Sequence, residues 1–383
     1  MRILHIISSG GMYGAEAVIL NLSRTLNEQG HSSVLGIFSN SSNPNLELHE
    51  RALAEGLESH LIACNGQVDR TVPASIRALA ASTRGDLVHA HGYKADVYAY
   101  LAMRKIARPL VSTCHTWYDD NLLLWLYGVI DRRVLRQYAA VVSVSDDVSQ
   151  RLLSSGVTAD RIHLIRNGID LRPFTDATPS LRHLAPDGLL VGWIGRLTHD
   201  KGPDVFLRAI AQIRPLFPDA RYILVGEGPY RPEVERLVTD LALADVVHLL
   251  GQRQDMPAVY ASCDLMVSSS RKEGLPMAIL EGMAAGRPWI ATAVGAVPMA
   301  IHNGENGVLI AAENVDALVD NMIRLMKSSD ERSALGAAAR ALTESEFSAE
   351  RMAADYLHVY TAALLKDKAL NPDVEKAVTG GTT

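Results

Sequence analysis

Thirteen short apolar runs rich in β-branched residues punctuate the chain, each followed by a longer stretch with helical spacing. Seven lie in the first half, "RILHIIS", "SSVLGIF", "SHLIAC", "DLVHAH", "PLVSTCH", "AVVSVS" and "IHLI". Six lie in the second, "LLVGWIG", "RYILVG", "VVHLL", "DLMVSSS", "PWIATA" and "GVLIA". Near-continuous apolar runs of this length predict parallel strands buried on both faces, and the segments between them predict covering helices. One such helix carries Ala17, Leu20, Asn21 and Arg24 at helical spacing and ends at Gly30. The chain therefore reads as an α/β protein built from βαβ units of a doubly wound sheet.

The series breaks once, at "RNGIDLRPFTDATPSLRHLAPDG", 166 to 188, where three prolines, an Asn-Gly and no sustained period predict a connection between domains. The expected division is a Rossmann-like domain over 1–168, a linker over 169–188, a second Rossmann-like domain over 189–348, a closing helix over 349–366 and a disordered tail over 367–383. Met352, Tyr356, Val359, Tyr360 and Ala363 share one stripe of the closing helix. That stripe predicts packing on a domain, with the first as the candidate surface.

Length and composition agree with this picture. The 383 residues suit two ordinary domains, and 48% hydrophobic with 21% charged residues describes a globular chain. A net charge of -6 argues against nucleic acid as a partner. "LLLWLYGVI", 122 to 130, has nine residues, too few to span a bilayer, and is followed by Asp131, Arg132 and Arg133. It is expected as a buried helix face; with Arg132, Arg133 and Arg136 behind it, shallow contact with the inner face of a membrane is the alternative. The N-terminal run lacks a leader pattern, and Cys64, Cys114 and Cys263 form neither a disulfide framework nor a metal motif, so a cytoplasmic setting is expected.

Open α/β sheets bind ligands beyond the carboxyl ends of their strands, so the loops after the strands hold the candidate chemistry. "SSGGMYGAE" sets Gly10, Gly11 and Gly14 ahead of a helix, as a phosphate loop would, although it lacks the full GxGxxG spacing and a plain tight turn is the alternative. "GRLTHDKGP" supplies Arg196 and Lys201, five residues apart with a glycine beside each. They suit a diphosphate clamp, against the alternative of a solvated basic loop. "LVGEGP", with Gly226, repeats the strand, glycine, loop design.

The stretch "SSSRKEGLPMAILEGMAAGRP", 268 to 288, places Glu273 and Glu281 on either side of Gly-Leu-Pro. Pro276 suits a first helical turn and Gly286 a stop, which predicts a helix from about 276 to 285. The backbone NH groups of Gly274, Leu275 and Met277 would then be offered to an anion. The carboxylates are separated by roughly 8 Å or a little more along the axis. That span suits an elongated ligand held at two hydroxyl groups, not a proton relay or a single metal ion. His89 and His91 share a strand face, but no third ligand and no zinc-type spacing accompany them, and the chain has no Asp-x-Asp. No metal is expected.

Together "GGMYGAE", "NGID", "GRLTHDKG", "VGEGP" and "EGLPMAILE" resemble, over nearly the full length, the retaining glycosyl transferases group 1 family (glycosyltransferase family 4) of GT-B fold. The resemblance implies two Rossmann-like domains facing across a deep interdomain cleft, with a nucleotide-diphospho-sugar held mainly by the C-terminal domain and the acceptor mainly by the N-terminal one. It implies that Glu281 accepts from ribose hydroxyls, that Glu273 holds a hydroxyl of the transferred sugar, and that Arg196 and Lys201 neutralise the leaving diphosphate beside the backbone of Gly274 and Leu275. Gly11 and Gly226 would approach the donor nucleotide, Arg253 would mark a loop holding the base through backbone groups, and His115 would face the donor sugar.

The implied reaction is metal-independent hexosyl transfer with retention by front-face substitution, since no carboxylate nucleophile of the glycosidase kind is identifiable. No cofactor is expected beyond a UDP- or GDP-sugar as co-substrate. The acceptor would be a saccharide or lipid-linked saccharide of bacterial envelope polysaccharide or glycolipid synthesis. A nicotinamide dehydrogenase would need an acidic residue after the second strand, which is absent. The remaining alternatives are a sugar-nucleotide epimerase and a nucleotide-sugar-binding protein without catalysis.

Overall fold

The computed structural model describes residues 1–370 apart from 13, 43, 67, 107, 115–121, 275 and 276, and omits the side chains of 122–127 and 367–370. All thirteen apolar runs form strands. In the first half these are β1 (Arg2–Ile7), β2 (Ser32–Ser39), β3 (Glu58–Ala63), β4 (Leu87–His91), β5 (Leu110–Cys114), β6 (Ala140–Ser143) and β7 (Ile162–Leu164). In the second they are β8 (Leu190–Ile194), β9 (Arg221–Val225), β10 (Val247–Gly251), β11 (Leu265–Ser268), β12 (Trp289–Thr292) and β13 (Val308–Ile310).

The strands make two all-parallel sheets, ordered β3-β2-β1-β4-β5-β6-β7 and β10-β9-β8-β11-β12-β13. In each sheet the first strand of the series lies in the middle and the chain reverses direction across it. This is the Rossmann order, with its switch point between β1 and β4 in one sheet and between β8 and β11 in the other. Two-faced burial explains the composition: β4, β5 and β6 are buried at every position, whereas the edge strand β3 is mostly exposed.

The chain forms two compact units, Met1–Gly168 with Ala349–Thr383, and Ile169–Ser348. The stretch 169–188, expected as a linker, is built into the second unit. Ile169, Leu181 and Ala185 are buried in that unit's core, the NH groups of Ser180 and Leu181 donate to Ser262 Oγ, and Arg182 pairs with Asp264 at 2.8 Å. Irregular backbone can be buried when side chains satisfy it, and such partners leave no period in the sequence.

The closing helix, Ala349–Leu370, packs within the first unit, and its stripe of Met352, Tyr356, Val359, Tyr360 and Ala363 is buried. The first helix, Gly14–Glu28, buries Ile19, Leu22 and Leu26, while Ala17, Asn21 and Arg24 of the expected stripe are only half-buried. Among the described residues no helix is long and apolar enough to cross a membrane.

The histidine pair on β4 acquires the third imidazole that the sequence reading did not find. β1 lies beside β4 with His5 level with His89, which puts His5, His89 and His91 together at 0%, 0% and 5% exposure. His5 Nδ1 and His91 Nε2 are hydrogen-bonded at 3.1 Å. His89 is hydrogen-bonded through Nδ1 to Tyr360 Oη and through Nε2 to Thr113 Oγ1, both at 2.8 Å. One nitrogen from each ring lies within 4.8 Å of the others, close enough for the three to share an ion. Burial pushes the His5 pKa down to about 3. With both His89 nitrogens engaged, the cluster works as a polar tie joining β1, β4 and β5 to the closing helix.

Candidate functional site

The loops at the switch point of the second sheet are interlocked backbone to backbone. After β8 the chain passes Gly195 and Arg196. Gly195 N donates to Val225 O at 3.0 Å, and Leu197 N to Glu227 O at 3.0 Å. This contact explains "VGEGP". Gly226 has φ +137°, and a Cβ there would stand 2.0 Å from the Gly195 carbonyl oxygen. The structure thus gives Gly226 a packing role, seating the β9 loop against the loop that carries Arg196. Gly226→Ala is expected to cost at least about 2 kcal/mol, because strain at such a φ and overpacking each contribute roughly 1 to 3. A chemical-denaturation midpoint equal to wild type would refute this.

The next turn fixes Lys201. His199–Lys201 form a short 3-10 turn that Gly202 ends in the left-handed conformation, φ +63°. Residues after β11 clasp this turn: Ser269 Oγ donates to Gly202 O at 2.6 Å, and Arg271 N donates to Asp200 O at 2.7 Å. The Arg271 guanidinium donates to His199 O and forks onto both Asp204 carboxylate oxygens at 2.8 and 2.7 Å. Sequence reading missed Arg271. The signal available was its position directly ahead of the Glu273 motif; its partner lies 67 residues away.

The clasp brings the two halves of the candidate chemistry into contact. Lys201 Nζ lies 2.5 Å from Glu273 Oε1, with the Glu273 side chain 6% exposed and that of Lys201 29% exposed. Ser270 Oγ donates to the same carboxylate oxygen at 2.7 Å. The cation from the β8 loop and the carboxylate from the β11 loop therefore form one charge-assisted pair across the switch point. Arg196 stands exposed on the β8 loop.

Glu281 lies on the helix Met277–Ala284. Tyr260 Oη is 3.0 Å from both Glu281 Oε2 and Ala278 O, so one phenol links the carboxyl to its own helix. The residue as a whole is half-buried, and its carboxyl has little contact with water. Loss of water pushes the pKa up to about 7, and the Tyr260 hydrogen bond offsets this only in part. Sequence spacing located Glu281 but carried no sign of this displaced titration.

The remaining candidates divide clearly. Gly274 is exposed, with nothing within 4 Å of a Cβ built there. Arg253 forks onto Asp255 at 2.8 and 2.6 Å. Gly11 belongs to the first unit, where the loop after β1 closes on itself: Gly11 N donates to Ser9 Oγ at 3.3 Å, and that hydroxyl lies 3.0 Å from the buried Glu16 carboxylate. His115 and Leu275 lie outside the described residues.

Comparison with known proteins bears on this arrangement. Residues 12–172 match the model of Glycosyltransferase Family 4, and residues 188–328 match that of Glycosyl transferases group 1. The lipopolysaccharide core biosynthesis mannosyltransferase LpsB of Rhizobium meliloti is 30% identical over 290 residues, covering 67% of this chain and 82% of LpsB. A D-inositol 3-phosphate glycosyltransferase of Actinosynnema mirum is 30% identical over 298 residues, 70% of this chain and 71% of that one. Among solved structures, Anabaena HepE in complex with UDP superposes with TM-score 0.83 at 22% identity, covering 94% of this chain and all of that one. Its complex with UDP-glucose superposes with TM-score 0.81 at the same identity and coverage.

Proposed function

This chain belongs to the glycosyl transferases group 1 family, and we propose that it moves a sugar with retention from a nucleotide-diphospho-sugar to a hydroxyl acceptor. The observation that carries the reading is the Lys201–Glu273 pair at the switch point of the second sheet. A cation beside a nearly buried carboxylate, both gripped by rigid loops, offers diphosphate and sugar hydroxyl adjacent partners of opposite charge.

In the proposed reaction Lys201 and Arg196 face the diphosphate and stabilise the negative charge that grows as its bond to the anomeric carbon breaks. Glu273, oriented by Ser270 and Lys201, accepts from a hydroxyl of the transferred sugar and opposes the positive charge developing on the ring. Glu281 accepts from the ribose hydroxyls when ionised. The leaving phosphate oxygen assists deprotonation of the acceptor hydroxyl, so the chain contributes positioning and neutralisation rather than a nucleophile. Arg196 and Lys201 supply the charge that a metal ion would otherwise bring, which makes activity in the presence of a chelator part of the reading.

UDP in the HepE complexes makes a UDP-sugar the first donor to try, and the name of LpsB makes an envelope saccharide the first acceptor class. The test is release of nucleotide diphosphate from UDP-, GDP-, ADP- and CDP-sugars, with and without a pool of saccharide acceptors. Release that depends on acceptor and survives chelation is the expected result. An epimerised donor formed without acceptor would replace the reading by the epimerase alternative.

A further inference from the structure

The proposed reaction uses the Glu281 carboxyl but not the phenol beside it. Tyr260 lies on the helix Met256–Ser262, is 0% exposed, and reaches Glu281 across 21 residues of chain. A buried tyrosine needs a partner for its hydroxyl, and this one lies 3.0 Å from two acceptors, Glu281 Oε2 and Ala278 O. A phenol has one proton, so it donates to one of them at a time. The state of the carboxyl decides which. An ionised Glu281 draws the proton, because a hydrogen bond to a charged acceptor is roughly twice as strong as one to a carbonyl, whereas a protonated Glu281 leaves it to Ala278 O.

The ring that carries this phenol is braced from the stretch 169–188. Phe174, on the short helix Arg172–Thr175, meets it edge-on with ring centroids 5.9 Å apart. The same stretch holds both ends of the Tyr260 helix: Ser180 Oγ donates to Asp255 Oδ2 at 3.1 Å, just ahead of the first turn, and Ser262 Oγ accepts from the NH groups of Ser180 and Leu181. Asp255 also receives the Arg253 fork. One short helix is thus tied both to the loop implied to hold the base and to the carboxyl assigned to the ribose. Among the described residues the other titratable group facing the pair is Cys263, whose thiol burial pushes up to about 12 and keeps neutral. Burial and the nearby Glu281 push the Tyr260 phenol well above its ordinary value, so it stays a donor at every working pH.

We propose, on the reading that Glu281 meets the ribose, that Tyr260 is a positioning residue for the donor nucleotide: its phenol grips Glu281 Oε2, favours the ionised carboxylate and leaves Oε1 to accept from the ribose hydroxyls. The test is Tyr260→Phe, which keeps the buried ring and its contact with Phe174 and removes the hydroxyl. Carbon-13 NMR of the glutamate carboxyls, with the Glu281 signal identified by its loss in Glu281→Gln, follows the titration without any ligand. Its midpoint should move up from about 7 by about one pH unit, the equivalent of one lost hydrogen bond to a charged group.

Calorimetry with UDP, GDP, ADP and CDP follows affinity over the same range. At pH 7 the ionised fraction drops from about a half to about a tenth, so affinity for the nucleotide that binds should fall about fivefold, and its acid limb should move with the midpoint. In a Glu281→Gln background the same substitution should cost less than about twofold, because Tyr260 acts through the carboxyl. An unmoved midpoint beside a pH-dependent wild-type affinity would overturn the proposal alone. Equal losses of affinity in the two backgrounds would also overturn it, since the phenol would then act on the fold and not on Glu281. A midpoint that moves while affinity stays flat with pH would overturn the ribose reading, and the proposal with it.

Discussion

Lys201→Ala is expected to lower turnover at saturating donor by roughly a hundredfold to a thousandfold, the usual loss of about 2.7 to 4 kcal/mol when one preorganised group stabilising transition-state charge is removed. The Lys201 ammonium is fixed before any ligand arrives, by the clasp of Ser269 and Arg271 on its turn and by the 2.5 Å contact with Glu273. It therefore costs little reorganisation when charge builds on the diphosphate. Arg196→Ala should act in the same direction.

The contact couples Lys201 to Glu273. Glu273→Gln removes the charge holding Lys201, so it should lower turnover and also alter affinity for free nucleotide diphosphate. In a double-mutant cycle with Lys201→Ala the two losses should fall short of additivity. Steady-state kinetics paired with calorimetry reads both quantities. Full turnover in a folded Lys201→Ala variant, or strict additivity in the cycle, would remove the pair from the mechanism.

The second large effect is in pH. A Glu281 carboxyl that titrates at about 7 is largely protonated in mildly acidic solution, and a protonated carboxyl is a poor acceptor for two ribose hydroxyls. Nucleotide diphosphate affinity should rise by roughly tenfold per pH unit below about 7 and level off above it. Glu281→Gln should bind weakly without this rise, which separates it from titration of the phosphates. The stability contribution has the opposite sense. The folded-state pKa lies above the unfolded value, so the folded chain holds the extra proton, and stability from this group falls as pH climbs from 4.5 through about 7. Calorimetric titrations from acid to mildly alkaline pH check the first statement, and denaturation midpoints over the same range check the second. A flat affinity profile in wild type would show that the carboxyl is ionised throughout or does not face the ribose.

Local pattern was enough to locate the thirteen strands, the two α/β series and the buried stripe of the closing helix, because burial on both faces of a strand or one face of a helix imposes a period that any window of residues displays. It also placed the charged candidates in loops after strands. The sheet order then explains their meeting: β8 and β11 are neighbours, so the loops that leave them converge.

Which candidates touch was settled by the three-dimensional packing. Lys201 reaches Glu273 across 72 residues of chain, Arg271 reaches Asp204 across 67, and His5 reaches His91 across 86. Packing also turned 169–188 from an aperiodic connection into part of a core, made Gly226 the residue that admits the Gly195 carbonyl, and moved Glu281 out of the ordinary carboxylate range. Each of these depends on close approach or loss of water between positions far apart in sequence. Such contacts are set by strand order and packing, and a local pattern of apolar and polar residues does not encode them.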